Sequence, residues 1–351
     1  MTCFRKNIEA IEGYTPGFQP KEPGYIKLNT NESPYPPSPR VIEALRAACN
    51  EGLRKYPDPM AQAFRQKAAE VLRTRPERVL CGNGSDDVLS IALGSFCGEG
   101  DRVAFPSPTY SLYDVLVQIQ GGIPVEVDFP EDYSLPEGLR DTGAKLTIVP
   151  NPNAPTGTLV PAADLSDLAD ALCGTGVLLI DEAYVDFAEA DCLDLVQKHD
   201  NVIVARTLSK SYSLAGLRFG FAIAQEHLIE GMVKVKDSYN VDTLSIAGAT
   251  AAIGDRGWLR ENVGKIKATR GRLIEGLDEL GFECLPSQSN FVLARVPAGR
   301  SGEQVYTRLL ERKILVRYWN KPRLDNCLRI SVGSDEEIAT LLSALRDIVS
   351  G

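Results

Sequence analysis

Short apolar runs that alternate with helical patterns constrain the fold of this chain more than any other feature. The clearest runs lie at residues 78–81, 102–105, 145–149, 177–180, 202–205 and 219–224. Runs of this length are typical of buried strands, and helical patterns occupy most of the intervals between them. The alternation predicts an α/β fold with a largely parallel sheet, in which ligands bind beyond the carboxyl ends of the strands.

The pattern changes on both sides of this region. After about residue 242 it predicts helices at 242–253 and 258–280, strands at 291–295, 314–317 and 328–331 with a helix among them, and a final helix. These elements indicate a smaller α+β domain. Residues 13–39 are rich in Pro and Gly and predict an irregular surface arm with no core element. Because 351 residues exceed what one core usually serves, we expect an N-terminal arm (1–30), a large domain (31–250) and a small C-terminal domain (251–351).

Composition narrows the class of protein. Hydrophobic residues make up 44% of the chain and charged residues 24%, as in ordinary globular proteins. The net charge of -9 is spread along the chain without a run of Lys and Arg, so we expect no nucleic-acid partner. No segment approaches the ~20 consecutive apolar residues of a membrane span, and residues 1–30 lack the apolar core of a secretory signal. We expect no membrane partner.

Cysteine and histidine usage restricts the chemistry. The 8 cysteines are widely spaced without a Cys-x-x-Cys pair, which favours reduced thiols in a cytoplasm over a disulfide scaffold. The sequence has only two histidines, His199 and His227, and neither lies near another expected ligand. We therefore expect no metal site and no Ser-His-Asp triad.

The segment 207–218, Thr-Leu-Ser-Lys-Ser-Tyr-Ser-Leu-Ala-Gly-Leu-Arg, directly follows a predicted strand. Lys210 lies there among hydroxyl side chains, a setting that suits an amine that condenses with an aldehyde. Ser209 and Arg218 would neutralise a phosphate, because arginine binds phosphate through paired, directed hydrogen bonds. The alternative is a solvated surface lysine.

A second candidate group ends the predicted strand 177–180. Asp181 would supply the carboxylate that pyridoxal-5′-phosphate (PLP) needs beside its pyridine nitrogen, since the protonated ring is the electron sink for a carbanion. Tyr184 would hydrogen-bond to the phenolic oxygen of the ring. By itself, a strand-terminal Asp is more often a helix cap or a turn residue.

Three further turns follow predicted strands. The turn at 81–87, Cys-Gly-Asn-Gly-Ser-Asp-Asp, would let the backbone approach a phosphate in front of the free amides of a helix, although sharp turns also need glycine. Tyr110 would stack on a pyridine ring or serve as a core aromatic. The segment 151–157, Asn-Pro-Asn-Ala-Pro-Thr-Gly, offers amides near the same ring.

In this order along the chain, the motifs resemble the aspartate-aminotransferase superfamily, fold type I of the PLP enzymes, from about residue 25 to the end. Within the superfamily the chain is most similar to the histidinol-phosphate aminotransferases. That similarity also rests on 28–34 (Leu-Asn-Thr-Asn-Glu-Ser-Pro), 55–58 (Lys-Tyr-Pro-Asp) and 328–333 (Leu-Arg-Ile-Ser-Val-Gly). It implies PLP as cofactor, a large domain with a mostly parallel seven-stranded sheet flanked by helices, and a smaller α+β domain.

The resemblance implies roles for individual residues around the cofactor. Lys210 would form the Schiff base with PLP. The pyridine ring would be held by Asp181, Tyr184 and Tyr110, and the phosphate by Ser85, Asp86, Ser209 and Arg218. Many relatives have an asparagine immediately before Pro-Thr-Gly, where this chain has Ala154. Either Asn153 replaces the missing amide at the ring oxygen, or Tyr184 acts alone.

The resemblance also implies partners. Tyr56 would reach the cofactor phosphate of a neighbouring subunit, which implies a homodimer. Arg329 would bind the α-carboxylate of the amino-acid co-substrate. Further substrate contacts fall at Tyr14, Asn31, Glu32 and Arg317.

The implied reaction is transamination of L-histidinol phosphate with 2-oxoglutarate, which gives imidazole-acetol phosphate and L-glutamate in histidine biosynthesis. Lys210 would move the α-proton of the substrate. A threonine-phosphate decarboxylase and a broad aromatic aminotransferase share this fold, and the motifs barely separate them from the favoured reading.

Two alternatives belong to other classes. PLP-sensing transcription regulators share the fold, but they carry an N-terminal DNA-binding domain of ~70 residues and a basic surface, and here the match begins near residue 25. A purely structural protein would leave the combination of Lys210, Asp181 and Arg218 unexplained.

Overall fold

A seven-stranded sheet forms the centre of the structure, a computed structural model that describes residues 3–350. The strands are β1 (Ile26–Lys27), β2 (Val79–Gly82), β3 (Arg102–Ser107), β4 (Ile123–Asp128), β5 (Leu146–Pro150), β6 (Val177–Asp181), β7 (Val202–Thr207), β8 (Gly220–Ala224), β9 (Glu283–Cys284), β10 (Phe291–Arg295), β11 (Ile314–Leu315), β12 (Arg317–Tyr318) and β13 (Cys327–Ser331). The helices are α1 (Lys6–Ala10), α2 (Pro39–Ala48), α3 (Gln62–Leu72), α4 (Ser85–Phe96), α5 (Leu112–Gln120), α6 (Ala162–Ala171), α7 (Leu193–Lys198), α8 (Glu226–Val233), α9 (Thr243–Gly254), α10 (Arg256–Glu279), α11 (Gly302–Glu311) and α12 (Asp335–Ser350).

The central sheet has the strand order β2-β8-β7-β6-β5-β3-β4. The pairs β3–β4, β3–β5, β5–β6 and β6–β7 are parallel, whereas β8 runs antiparallel to both β7 and β2. All strands except β8 therefore run in one direction, which confirms the predicted mostly parallel sheet. The seventh strand, β4, lies at the sheet edge and is only partly buried, so it has no continuous apolar run in the sequence.

Both faces of the central sheet are covered, and the side chains of each strand alternate between them. In β7, Val202 and Val204 belong to one apolar cluster, while Ile203 and Ala205 belong to another on the opposite face. Because both faces of such a strand are buried, the side chains on both faces are apolar, and the sequence is a continuous apolar run.

A smaller antiparallel sheet, in the order β12-β13-β10-β9, carries a third apolar cluster with α10 and α12. The predicted strand 314–317 is wrong as a single element. β11 pairs with β1 in a separate parallel sheet, and β12 pairs with β13. The chain passes from one sheet to the other at Val316, so each strand has only two residues.

The end of the N-terminal arm corrects the prediction that residues 13–39 hold no core element. β1 pairs with β11, and Leu28 is 1% exposed inside the third apolar cluster. A strand of two residues between prolines and glycines leaves no periodic signal, so the sequence did not reveal it.

Helix α9 packs on α2 and α3 beside the central sheet, and Asp242 caps it by accepting from the amides of Leu244 and Ser245. The predicted domain boundary at residue 250 falls inside this helix, and the division into domains stays a prediction. Among residues 3–350, no helix combines the length and the apolar character that a membrane span requires.

Candidate active site

Most of the predicted site residues follow strands that end at one edge of the central sheet. β6 ends at Asp181, and β7 ends at Thr207, three residues before Lys210. Because β8 is antiparallel to its neighbours, it begins at the same edge, with Gly220 opposite Thr207 and Gly82. This reversal brings Arg218, two residues before β8, to the carboxyl ends of the other strands.

Lys210 lies at this edge beside the end of the N-terminal arm. Its Nζ donates to the carbonyl oxygen of Thr30 at 3.2 Å and lies 5.7 Å from the centroid of the Tyr184 ring. Sequence reasoning did not single out Thr30, because a backbone carbonyl leaves no trace in residue type.

Asp181 is 5% exposed and is held by two donors. Its Oδ2 accepts from the Tyr113 hydroxyl at 2.7 Å, and its Oδ1 accepts from the Ala183 amide at 3.1 Å. Burial raises the pKa of Asp181 to about 6, against the opposing effect of these two hydrogen bonds. The sequence analysis missed Tyr113, although its place three residues after Tyr110 was a usable signal.

A cradle for an anion forms where α4 begins. Gly84 has a φ of 87°, and a Cβ at this position would lie 2.5 Å from an Arg218 guanidinium nitrogen. The guanidinium also lies 3.4 Å from the Ser209 hydroxyl and 3.4 Å from a carboxylate oxygen of Asp86. Since the first amides of a helix have no partner within it, a guanidinium, a hydroxyl and helix amides converge here.

Aromatic rings line the site between this cradle and the arm. The ring of Tyr110 packs edge-on against Tyr14 at 5.8 Å and against Tyr113 at 5.5 Å between centroids. Burial raises the pKa of Tyr110, and its hydroxyl lies 3.5 Å from Asp86 Oδ1. A flat ligand at this edge would therefore meet an aromatic wall.

Two arginines from the smaller sheet face the same region. Arg317 and Arg329 are register partners on β12 and β13. Arg329 donates to the carbonyl of Asn29 at 2.8 Å and lies 5.2 Å from the centroid of Trp319, and Arg317 lies 5.3 Å from that ring. The buried Nε of Arg329 has no hydrogen-bond partner among residues 3–350, and burial lowers the pKa of this guanidinium. An unused, buried donor of this kind suits an anionic ligand.

Two predicted residues have contacts other than the expected ones. Tyr56 is 80% exposed and stacks on Tyr239 with centroids 4.5 Å apart, so the chain by itself does not bring it to Lys210. Glu32 pairs with Lys27 and accepts from Thr30 at 2.7 Å. Burial raises the pKa of Glu32, but these two partners outweigh burial and lower it overall.

Asn153 is wholly buried, and its side-chain amide is occupied on both sides. Its oxygen accepts from Thr109 at 2.9 Å, while its nitrogen donates to Thr156 at 2.9 Å and to the carbonyl of Pro108 at 3.2 Å. These contacts fix the loop and do not support the idea that Asn153 replaces the amide missing at Ala154.

A Ser-His-Asp cluster exists, contrary to the expectation from the histidine count. His199 Nε2 lies 2.7 Å from the Ser166 hydroxyl, and its Nδ1 lies 3.3 Å from Asp170. Residues far apart in sequence meet because α6 and the end of α7 are adjacent. The amides that flank Ser166 lie within α6 and are committed to its hydrogen bonds, so they form no oxyanion hole. Among residues 3–350, no group of His, Cys, Asp and Glu side chains is arranged to hold a metal ion.

The sheet-edge site agrees with the comparison to known families, in which the model for "Aminotransferase class I and II" matches residues 23–345. The chain belongs to this aminotransferase family. It is similar to the histidinol-phosphate aminotransferase of Geotalea daltonii, with 46% identity over 99% of this chain and 100% of that protein. Histidinol-phosphate aminotransferase 1 of Trichormus variabilis is 46% identical over 99% of each chain.

The fold of this aminotransferase also matches a solved structure. The histidinol-phosphate aminotransferase of Sinorhizobium meliloti, solved in complex with pyridoxal-5′-phosphate, superimposes with a TM-score of 0.90 at 27% identity, over 100% of this chain and 98% of that one. The resemblance that the sequence motifs indicate is thereby confirmed at the level of family and fold.

Proposed function

We propose that this aminotransferase uses PLP to transfer the amino group of L-histidinol phosphate to 2-oxoglutarate. The observation that carries the proposal is the convergence of Lys210, the buried Asp181 and the Arg218 cradle at one edge of the sheet. Two relatives that are 46% identical over nearly the whole chain are named histidinol-phosphate aminotransferases, which supports this amino donor.

The residues at the sheet edge fit PLP. Arg218, Ser209 and the first amides of α4, from Ser85 and Asp86, would hold its phosphate. Asp181 would face the ring nitrogen, Tyr110 would stack on the ring, and Lys210 would bind the aldehyde carbon. When bound, PLP supplies an electron sink for the electron pair left at the α-carbon of the substrate.

Asp181 and Lys210 would hold and transfer the protons in this reaction. Asp181, with a pKa of about 6, is mostly ionised at neutral pH and would keep a proton on the ring nitrogen. The Lys210 amine would take the proton from the α-carbon of the substrate as general base and then deliver it to the neighbouring carbon as general acid.

Arg329 and Arg317 would bind the anionic end of both substrates. L-Histidinol phosphate carries a phosphate where glutamate carries its α-carboxylate, and a guanidinium binds either group through paired hydrogen bonds. The unpartnered Nε of Arg329 is the donor that such an anion would occupy. Tyr14, which packs against Tyr110, would close this side of the site.

We further propose a homodimer in which Tyr56 reaches the phosphate site of the partner subunit. Tyr56 and the ring of Tyr239 on which it stacks are both exposed on the surface of the single chain. A cytoplasmic location is also proposed, because all of the cysteines, from Cys3 to Cys327, are free thiols.

The visible absorption spectrum of the purified, PLP-loaded protein tests the reaction. We expect histidinol phosphate alone to bleach the visible band and 2-oxoglutarate to restore it. A Lys210→Ala variant should keep its fold by circular dichroism and lose turnover. A band that ignores histidinol phosphate but responds to threonine phosphate or an aromatic amino acid would overturn the proposed substrate.

A further inference from the structure

Asn31, directly after the N-terminal arm, is buried and held by side chains from the C-terminal part of the chain. It is 1% exposed and has a φ of 57°, in the left-handed region that Asn tolerates better than most residues. Its amide N–H donates to the Ser331 hydroxyl at 2.9 Å, and its carbonyl accepts from the Asn290 side chain at 2.9 Å. The backbone of Asn31 is therefore fixed by two side chains from the smaller sheet.

Ser331 also fixes the orientation of the Asn31 side-chain amide. The Ser331 hydroxyl already accepts from the Asn31 N–H, so its single proton is free to be donated to Asn31 Oδ1, at 2.9 Å. With Oδ1 committed in this way, the amide nitrogen Nδ2 must point in the other direction. There it lies 3.0 Å from the Tyr184 hydroxyl.

This geometry sets the direction of the Tyr184 hydroxyl proton. An amide nitrogen only donates, so the Tyr184 oxygen accepts from Asn31 and cannot send its own proton there. The phenolic proton is therefore free to be donated to a group other than Asn31, and Lys210 Nζ lies 5.7 Å from the centroid of the same ring.

We propose that Asn31 is a positioning residue that orients the Tyr184 hydroxyl toward the cofactor ring oxygen, in place of the amide absent at Ala154. The inference rests on the proposed PLP function and replaces the prediction that Asn31 contacts substrate. Asn31 acts through Tyr184, because each of its polar groups already has a protein partner and its side-chain nitrogen lies 3.0 Å from the Tyr184 hydroxyl.

The visible absorption of the PLP-loaded protein reports on this hydrogen bond without any substrate. A donor on the ring oxygen stabilises negative charge there, and so favours loss of the proton that this oxygen shares with the Lys210 nitrogen in the loaded protein. The colour of the loaded protein changes with this proton. Weakening the donor should move the midpoint of the colour change to higher pH.

Asn31→Gly is the variant to test, because glycine accepts the left-handed backbone and removes only the side chain. The pH midpoint of the visible band should rise by roughly 0.5–1 unit, a three- to tenfold change, which is the scale of one hydrogen bond. In a Tyr184→Phe background the same substitution should leave the midpoint unchanged, since the group through which Asn31 acts is gone. Every variant retains the charged groups near these side chains, so their effect on the midpoint is constant. Glu32 and Asp181 interact electrostatically with Lys210, and Arg329 interacts with Tyr184.

Two serine variants complete the experiment. Ser331→Ala frees the Asn31 amide to rotate and should raise the midpoint in the same direction by a smaller amount. Ser289→Ala is the matched control, since Ser289 is equally buried in the smaller domain region but bonds Ser287 and the Phe291 carbonyl, and it should leave the midpoint unchanged.

An unchanged midpoint in Asn31→Gly would overturn the proposal, as would an equal shift with and without the Tyr184 hydroxyl. Either result leaves the proposed reaction standing, because no amino substrate is present in this measurement. Failure of the wild-type protein to develop a visible band with PLP would instead overturn the proposed function and this inference with it.

Discussion

The Tyr113 hydroxyl donates to Asp181 Oδ2 at 2.7 Å, and both side chains are buried against the same face of the central sheet. Burial of a carboxylate favours its neutral form, whereas a hydrogen-bond donor favours its charged form. In Asp181 burial has the larger effect, and the pKa rises to about 6. Tyr113 therefore keeps the carboxyl group ionised at neutral pH, where the proposed chemistry needs its charge.

Tyr113→Phe should move the acidic limb of the pH–activity profile upward by about one unit. Loss of the donor removes about 1.4 kcal/mol of preference for the charged form of Asp181, so its pKa rises further. Above pH 8.5 the variant should approach wild-type kcat/KM, because Asp181 is ionised again. The measurement is kcat/KM between pH 5 and 9, and an acidic limb that coincides with that of the wild type would contradict the prediction.

Asp181→Asn should stabilise the cofactor-free protein while abolishing activity. The pKa of Asp181 is raised from 3.8 to about 6 in the folded state, so between these values the folded protein binds more protons than the unfolded chain. The contribution of Asp181 to the stability of the wild type should therefore fall as the pH rises from about 4 to 6 and stay lower above it. Asparagine carries no charge and escapes this loss, which amounts to at most about 3 kcal/mol at pH 7.

Urea unfolding of both cofactor-free proteins at pH 4 and pH 7 checks this prediction. The difference between variant and wild type should be large at pH 7 and small at pH 4. An Asp181→Asn protein that is less stable than wild type at pH 7 would show that its hydrogen bonds outweigh the buried charge.

The sequence predicted the central sheet and the residues at its carboxyl edge because both leave local signals. A strand buried on both faces is a continuous apolar run, and Lys210, Asp181 and Gly84 directly follow such runs. β4 and β1 left no such signal, because one is half exposed and the other has two residues.

Contacts between distant segments could not be predicted in this way. Asn31 meets Tyr184 and Ser331 only because the end of the arm packs beside the smaller sheet, and no local pattern records a contact between residues 300 positions apart. The proximity of His199 to Ser166 was missed for the same reason. Residue types and short spacings identify groups that follow strands, but not the side chains that orient them.

Ser211 ties the loop of Lys210 to the loop of Asp181. Ser211 directly follows Lys210 in the sequence, and its hydroxyl donates to Asp186 Oδ2 at 2.5 Å. Ser211→Ala should lower kcat about 3–30-fold with KM within about twofold, because a loosened Lys210 misplaces the base without removing substrate contacts. Ser211→Thr keeps the hydroxyl and serves as the control. A change confined to KM would contradict this role.

Glu182 forms a buried ion pair with Arg206 directly behind Asp181. The guanidinium Nε and a terminal nitrogen lie 2.8 Å and 2.7 Å from Glu182 Oε2, and the Cys192 amide donates to Oε1 at 2.5 Å. Glu182→Ala should lower the free energy of unfolding by up to about 3–5 kcal/mol, because it leaves the buried Arg206 charge with only the partly exposed Asp191, 3.2 Å away, as an ion-pair partner. Glu261→Ala is the control. It removes an exposed i,i+4 pair with Lys265 and should cost no more than about 0.5 kcal/mol.

In the double variant Glu182→Leu with Arg206→Met, most of the lost stability should return, since neither charge of the pair remains to be solvated. Urea unfolding of the wild type and the three variants measures these differences. A double variant as unstable as Glu182→Ala would show that the stability is lost through altered packing and not through the buried Arg206 charge.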